Sequence, residues 1–149
     1  MIKYLTYLTL LSSTLFSSVS KQIIKNDSKS FIIEINIDAL TESDLYPTSL
    51  LLGLPTEKLP KIKIDFRNES PIPFRSVQSN DVGFKWINQQ KLKNLETATL
   101  LVSPMSSSSN KYYKNINIQF NFDDSGTNYR HANKSEIELL NNRVLNWDI

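Results

Sequence analysis

The side chains that could carry acid–base chemistry are few and lie far apart in the sequence. Asp65 and Glu69 are a candidate pair of carboxylates, the arrangement that glycoside hydrolysis requires. The alternation around them places Asp65 on the solvent face of a strand and Glu69 in a turn, which favours two surface residues. His131 is the single histidine, so a histidine metal cluster is excluded, and its polar surroundings predict an exposed loop residue.

Oxygen ligands for a cation are concentrated after the last predicted strand, but their spacing is not that of a known calcium loop. The segment lacks the alternating acidic residues and the closing glutamate of an EF-hand, and a turn is the preferred interpretation. The oxygen-bearing residues are Asp123, Asp124, Ser125, Thr127 and Asn128. We therefore expect no metal and no cofactor in this chain.

Other chemistry is excluded by composition. The sequence has no cysteine, so disulfides, thiolate metal sites and a cysteine nucleophile are absent from it. Its three glycines do not form a phosphate-binding loop. Lys and Arg number 17 against 15 Asp and Glu, and no basic run occurs, so we expect no nucleic-acid partner.

Aromatic side chains are the remaining candidates for a binding surface. Trp86, Tyr112, Tyr113 and Trp147 could contact a partner protein or stack on a carbohydrate. Packing in a core is the commoner role of such residues, and the sequence leaves both interpretations open.

The first 20 residues have the pattern of a secretory signal peptide. Lys3 is followed by an apolar stretch from Tyr4 to Phe16, which is shorter than the roughly 20 residues that span a bilayer. Small residues then precede a predicted cut between Ser20 and Lys21. The pattern predicts export to the periplasm, the cell surface or the medium, without a membrane span after signal removal. We expect a signal helix over 1–20, a flexible segment over 21–30 and one domain over 31–149.

Alternating apolar and polar residues predict strands in the remaining chain. Residues 31–37, 61–67 and 115–122 each have one apolar face, while 97–102 is a short apolar run typical of a buried strand. The segment 49–54 fits a strand or a single turn. Prolines fall at the element edges, and a polar, serine-rich loop is predicted over 103–110.

Two short helices complete the predicted elements. Residues 86–95 are one candidate, and a capping box formed by Ser135 and Glu138 predicts the start of another near the C-terminus. The expected fold is therefore a mainly β, antiparallel, sandwich-like domain with one or two short helices. Because Trp147 and Ile149 are apolar at the end of the chain, we also expect that the domain is truncated there.

The order of several short motifs resembles the N-terminal, non-catalytic region of gingipain-like cysteine peptidases, the group that includes the sortase of the type IX secretion system. The motifs are Tyr46-Pro47, Leu51-Leu52-Gly53-Leu54-Pro55, Leu59-Pro60, Trp86-Ile87-Asn88-Gln89-Gln90, Ala98-Thr99-Leu100-Leu101-Val102-Ser103-Pro104, Tyr112-Tyr113 and Asn142-Arg143-Val144-Leu145-Asn146-Trp147. The resemblance covers most of the chain after the signal.

This resemblance implies a pro-region that assists folding of a peptidase or keeps it latent, with the Cys and His of the peptidase beyond Ile149. It implies a peptidase partner in the same or another chain, and a basic pro-region side chain that occupies the substrate pocket. Arg75, Lys85 and Lys111 are the candidates for that side chain. The alternative is a separate exported β-sandwich that binds another envelope protein or a glycan; an exported hydrolase using Asp or Glu pairs ranks last.

Overall fold

The computed structural model describes residues 18–27, 29–54, 56–75, 82–92, 95–108, 110–123 and 144. Within these ranges the chain forms seven strands and one short 3-10 helix, Glu42–Leu45, between the second and third strands. The strands are β1 (Val19–Asn26), β2 (Ser30–Ile37), β3 (Thr48–Leu54), β4 (Lys61–Pro71), β5 (Phe84–Leu92), β6 (Leu95–Val102) and β7 (Lys111–Asn121). The predicted mainly β class is confirmed.

The strands form two antiparallel sheets. The first has the order β1-β2-β7-β4 and the second the order β3-β6-β5. All strand pairs within both sheets are antiparallel. Each sheet turns an apolar face to the other, and one hydrophobic cluster joins them, as expected for a sandwich.

The alternating residues found in the sequence supply the inner face of the first sheet. On β2 the apolar set is fully buried, while the residues between are only half-buried. On β7 the same holds for Ile116, Ile118 and Phe120. The apolar side chains of β4 are half-buried and pack against the same cluster, because β4 lies at the edge of the sheet.

The second sheet contributes the opposite half of the core. Leu50, Leu52 and Leu54 from β3 pack with the buried residues of β6. This decides between the two interpretations left open for 49–54, since the segment is a strand. The predicted strand over 97–102 is confirmed as part of β6.

A smaller apolar cluster lies on the other face of the second sheet. Val144, which is 3 % exposed, is buried with Leu95 and packed against Leu51 and Leu92. These strand residues are offset by one position from the inner-facing leucines, so they point away from the main core. Val144 therefore covers apolar side chains on this second face of the sheet.

Two local predictions were wrong. Residues 21–26 are in β1 and not in a flexible segment, because backbone pairing with β2 holds a strand whose side chains are mostly exposed. The helix expected over 86–95 is absent, since residues 86–92 belong to β5 and Leu95 begins β6. The candidate signal helix and the helix near Ser135 lie outside the described residues.

The loop between β6 and β7 is less exposed than its serine-rich sequence predicts. Ser103, Met105 and Ser106 are each at most 6 % exposed. Met105 forms an isolated bridge to Tyr112, and Tyr113 N donates to Pro104 O at 2.8 Å. The loop therefore packs onto the start of β7. In the part of the chain described here, no helix has the length and apolarity needed to cross a membrane.

Ile118→Ala tests the central position of β7 in the core. The side chain is fully buried, so its truncation removes apolar contacts and leaves a cavity. We expect the free energy of unfolding to fall by about 2–5 kcal/mol in urea titrations. The matched control is Ile24→Ala on β1, where the side chain is 51 % exposed and a change of no more than about 0.5 kcal/mol is expected. Equal losses in both variants would contradict the assigned core.

Candidate interaction surface

The two carboxylates considered for hydrolysis do not form a facing pair. Asp65 accepts a hydrogen bond from Arg67 Nε at 2.6 Å, and Glu69 accepts one from Lys111 Nζ at 2.9 Å. Both lie on β4, and four strand positions correspond to about 13 Å along a strand. That separation exceeds the roughly 5–9.5 Å of glycosidase carboxylates. Each carboxylate is thus occupied by a cation of the domain itself.

The candidate cation ligands are only partly described. Asp123 forms an ion pair with Lys61, with Nζ–O distances of 3.0 and 2.9 Å. Residues 124–131, including His131, lie outside the described residues. Where the chain is described, no three His, Asp or Glu side chains are grouped as a metal site.

The aromatic candidates for partner contact are used mainly in packing. Tyr112 is 5 % exposed and belongs to the core, which is the commoner of the two roles left open for it. The Tyr113 ring lies 5.0 Å from that of Phe66, and the Trp86 ring lies 6.4 Å from that of Phe120. Both Tyr113 and Trp86 are half-buried against the core. Trp147 lies outside the described residues.

The three basic candidates have different surroundings. Lys111 pairs with Glu69, and Lys85 lies in β5 and not in a loop. Arg75 is exposed in the connection that follows β4. That connection is anchored just before Arg75, because Ile72 is 7 % exposed and its N–H donates to Asn110 O at 2.9 Å.

A polar cluster holds the β6–β7 loop against β4. Ser106 Oγ donates to Glu69, and Ser108 N donates to Ser106 Oγ at 3.1 Å. The hydrogen bond from Ser106 and the neighbouring Lys111 lower the pKa of Glu69. Since the contacts favour the charged carboxylate, the cluster is strongest when Glu69 is ionised.

Two further carboxylates fix the ends of the β1–β2 hairpin. The Lys25 ammonium lowers the pKa of Asp27, and backbone N–H groups of Lys29 and Ser30 act in the same direction. Partial burial raises the pKa of Asp44, but hydrogen bonds from Ser18, Thr41 and Leu40 outweigh it, and the net shift is downward. The predicted cleavage pair, Ser20 and Lys21, is exposed within β1.

One group of exposed apolar side chains lies at β5, which is one of the two outer strands of the second sheet. Val82, Phe84 and Ile87 are 52, 47 and 53 % exposed. Phe84 begins β5, and Ile87 is the extra residue of a bulge, since the register with β6 shifts between Trp86 and Asn88. We name these three residues the β5 edge surface.

Sequence reasoning missed this surface because it assigned residues 86–95 to a helix. The usable signal was the pair of aromatic residues Phe84 and Trp86 at a spacing of two, which is the strand period. Exposure itself could not be read from that pattern.

Lowering the pH should destabilise the protein through the carboxylates whose pKa values are lowered. A carboxylate with a lowered pKa contributes stability above its ordinary pKa of about 4, and that contribution is lost as the pH falls through the folded-state pKa. We expect the urea midpoint to fall between about pH 4.5 and pH 2, and Glu69→Gln to reduce that fall. Urea titrations at several pH values measure both effects.

Glu57→Gln is the matched control, because Glu57 is exposed in the connection between β3 and β4. It should leave the pH dependence of the urea midpoint unchanged. An acid response that is the same in Glu69→Gln as in the native protein would contradict the role assigned to the polar cluster.

Comparisons with known proteins identify a structure of similar fold but no sequence family that matches. No family profile and no curated protein match this chain. A solved structure that does match is a chain of the complex of Porphyromonas gingivalis RgpB pro- and mature domains, with a TM-score of 0.50 and 11% sequence identity. The match covers 89% of this chain and 98% of that chain. The domain therefore has a fold similar to that of a chain from a gingipain pro- and mature-domain complex.

Proposed function

We propose that this chain is the non-catalytic pro-region of a gingipain-like cysteine peptidase, exported with it or toward it. In this role the domain binds the peptidase, assists its folding and keeps it latent. The observation that carries the proposal is the structural similarity to a chain of the RgpB complex over 89% of this chain and 98% of that one.

The two coverage values support a domain-level correspondence. Since nearly all of both chains is matched, the RgpB chain has about the length of this one. The similarity thus involves a whole domain of that complex and not a fragment of a larger one. The order of motifs from Tyr46 to Trp147, which resembles that of gingipain-like pro-regions, supports the same function.

The chemistry of the chain is compatible with a binding role. It has no cysteine, so the nucleophile of a cysteine peptidase must be supplied by another domain. The ion pairs at Asp65 and Glu69 hold the domain together, and both carboxylates are occupied by them. What the domain offers to a partner is a rigid sandwich with exposed strand edges.

Arg75 is the basic residue best placed to enter a substrate pocket. It follows Ile72 and Phe74, which pack against the core, so the chain is fixed immediately before an exposed guanidinium. Lys111 is paired with Glu69, and Lys85 is held in β5. We therefore assign the blocking role to Arg75 within this proposal.

Export belongs to the same proposal. A cut between Ser20 and Lys21 would remove Ser18, which donates to Asp44, and Val19, which packs against the core. The remainder of β1 would keep its backbone pairing with β2 from Lys21 to Asn26. The processed protein thus retains the sandwich with a shortened edge strand.

A separate envelope domain that binds a protein or a glycan is the second candidate. The β5 edge surface favours it, because three large apolar side chains exposed within six positions are candidates for contact with a partner. The two candidates differ in partner: only the first requires a Cys/His peptidase.

The test mixes the purified protein with the gingipain-like peptidase domain encoded in the same genome. We expect a stable complex on size-exclusion chromatography and a loss of fluorogenic peptide hydrolysis of about tenfold or more. Arg75→Ala should restore most of the hydrolysis while leaving the complex intact, because one pocket contact is removed and the docking surface is not.

Lys63→Ala, an exposed basic residue of β4, is the matched control and should inhibit like the native protein. If neither a complex nor a change in hydrolysis is observed with the native protein, the pro-region function is wrong. The separate envelope domain then becomes the working hypothesis.

A further inference from the structure

We propose that Asp44 is the receiving site for a new chain terminus: the protein is cut between Ser17 and Ser18, and the freed ammonium group of Ser18 pairs with the Asp44 carboxylate. That this cut accompanies export rests on the proposed function. The receiving site itself rests on the contacts that join Ser18 to Asp44 in the fold.

The Asp44 carboxylate is held in place between β2 and β3. Its Oδ2 accepts hydrogen bonds from the backbone N–H groups of Leu40, at 3.0 Å, and Thr41, at 2.7 Å. Its Oδ1 accepts a hydrogen bond from the Ser18 hydroxyl. Partial burial raises the pKa of Asp44, but these hydrogen bonds outweigh it and the net shift is downward. The carboxylate is therefore ionised at neutral pH.

Asp44 differs from the other carboxylates that the fold holds in place, because its donors are all neutral. Where the chain is described, no Lys or Arg side chain pairs with it. Four other carboxylates each contact a cation of the domain: Asp27, Asp65, Glu69 and Asp123. A half-buried carboxylate gains most from a cation that arrives without further loss of side-chain freedom. The α-ammonium group of a chain terminus is such a cation.

Ser18 is the residue whose backbone nitrogen is placed to supply that charge. Its carbonyl oxygen accepts from Asp38 N at 2.7 Å, and its hydroxyl donates to Asp44. The α-nitrogen and the hydroxyl of one serine lie within about 4 Å of each other in any staggered rotamer. A rotation within the terminal residue therefore suffices to bring a free Ser18 ammonium to Asp44. In the uncut chain this nitrogen is a neutral amide.

The residue after Ser18 also belongs to the folded domain. Val19 begins β1, is paired with Ile37 and packs against the main core. A cut between Ser20 and Lys21 would discard both Ser18 and Val19, whereas a cut before Ser18 retains every contact that they make.

The sequence alone does not separate the two cuts at the residue that precedes the broken bond. That residue is a serine in both cases, Ser17 or Ser20, and export signals require a small residue there. The position two residues earlier is Leu15 for the first cut and Ser18 for the second, so the local pattern favours the second. The contacts of Ser18 and Val19 in the fold favour the first, and we give them more weight.

The reaction is a hydrolysis by an endopeptidase that removes export signals. Water adds across the bond between the Ser17 carbonyl carbon and the Ser18 nitrogen. Ser17 leaves with the new carboxylate, and Ser18 keeps the amine, which takes up a proton at neutral pH because free α-amino groups have pKa values of about 7.7–8.0. A nearby carboxylate favours the charged form, so pairing with Asp44 raises the pKa of this amine.

The first experiment determines where the processed protein begins. The full chain is produced in the organism that encodes it, and the exported protein is analysed by intact mass and by sequencing of its N-terminal peptide. We expect a chain that begins at Ser18. A chain that begins at Lys21 or at any other residue overturns the proposal and leaves export itself intact. A chain that retains Met1 overturns both this proposal and the export part of the proposed function.

The second experiment tests the pairing itself in a protein that begins at Ser18. The pKa of its α-amine is measured from the pH dependence of its acylation by acetic anhydride, read on the N-terminal peptide by mass spectrometry. We expect a pKa about one unit or more above the ordinary value, and Asp44→Asn should remove most of that rise.

Asp38→Asn is the matched control for Asp44→Asn. It removes a carboxylate of the same kind directly opposite Ser18, since Asp38 N donates to Ser18 O, but its side chain is exposed. Glu42, exposed on the same 3-10 helix, is the third negative charge of this neighbourhood. A fall in the amine pKa that is as large in Asp38→Asn as in Asp44→Asn contradicts a specific pair.

A comparison in the native sequence covers the case in which Asp44→Asn does not fold. The protein that begins at Ser18 is compared with the same protein acetylated at that terminus, which cannot carry the charge. A raised amine pKa contributes stability below about pH 8, and the contribution is lost as the pH rises through the folded-state value. We therefore expect the free terminus to have the higher urea midpoint at pH 7 and the difference to vanish by about pH 10.

Equal urea midpoints for the free and the acetylated terminus at pH 7 overturn the receiving role of Asp44. The peptidase mixture described above decides the proposed function separately. A terminus at Ser18 that pairs with Asp44, in a protein that binds no peptidase, retains this proposal and refutes the pro-region function. A peptidase complex formed by a protein that begins at Lys21 has the opposite meaning.

Discussion

The antiparallel pairing of β2 with β7 is the constraint on which the remaining structure depends. Its register places Phe31 opposite Phe120, Ile33 opposite Ile118 and Ile35 opposite Ile116. All six side chains are at most 1 % exposed, and the Phe31 and Phe120 rings are stacked with centroids 5.9 Å apart. A slip of one residue would turn the three apolar side chains of the slipped strand toward solvent, so the apolar pattern specifies a single register. With that pair fixed, β1 pairs with the remaining side of β2 and β4 with the remaining side of β7. The buried face of this sheet then packs against the leucine face of the second sheet.

The extent to which a strand buries its side chains explains which elements the sequence predicts. β2, β4 and β7 are recognisable because burial of one face imposes alternation, and β3 and β6 are recognisable as apolar runs. β1 and β5 obey no such rule: their side chains are largely exposed, so hydrogen bonding to a neighbour decides their conformation and composition does not. The buried serine-rich loop illustrates the same limit. Ser106 is buried because Glu69 lies across from it on a distant strand, which local sequence cannot reveal.

The functional interpretation follows the same division. The carboxylates and the histidine considered for catalysis, and the aromatic residues considered for partner contact, could be named from the sequence, but the residues that they contact could not be. The structure assigns Asp65 and Glu69 to cations of the domain and Tyr112 to the core. The exposure of the β5 edge surface could not be read from the sequence, because it depends on the position of β5 at the edge of the second sheet. A binding role is therefore inferred from where exposed residues lie in the fold, whereas a catalytic role would have required side chains of particular chemical types.

The fold of this domain is similar to that of an RgpB-complex chain although the two sequences are only 11% identical. A core that needs only apolar residues in the correct alternation tolerates extensive substitution, because volume and pattern are sufficient for folding. Edge strands tolerate even more, since their side chains contribute little to the core. Exposed positions are also where selectivity for a partner is most readily altered. The exposure that hides β1 and β5 from sequence reasoning thus leaves their side chains free to change without loss of the fold.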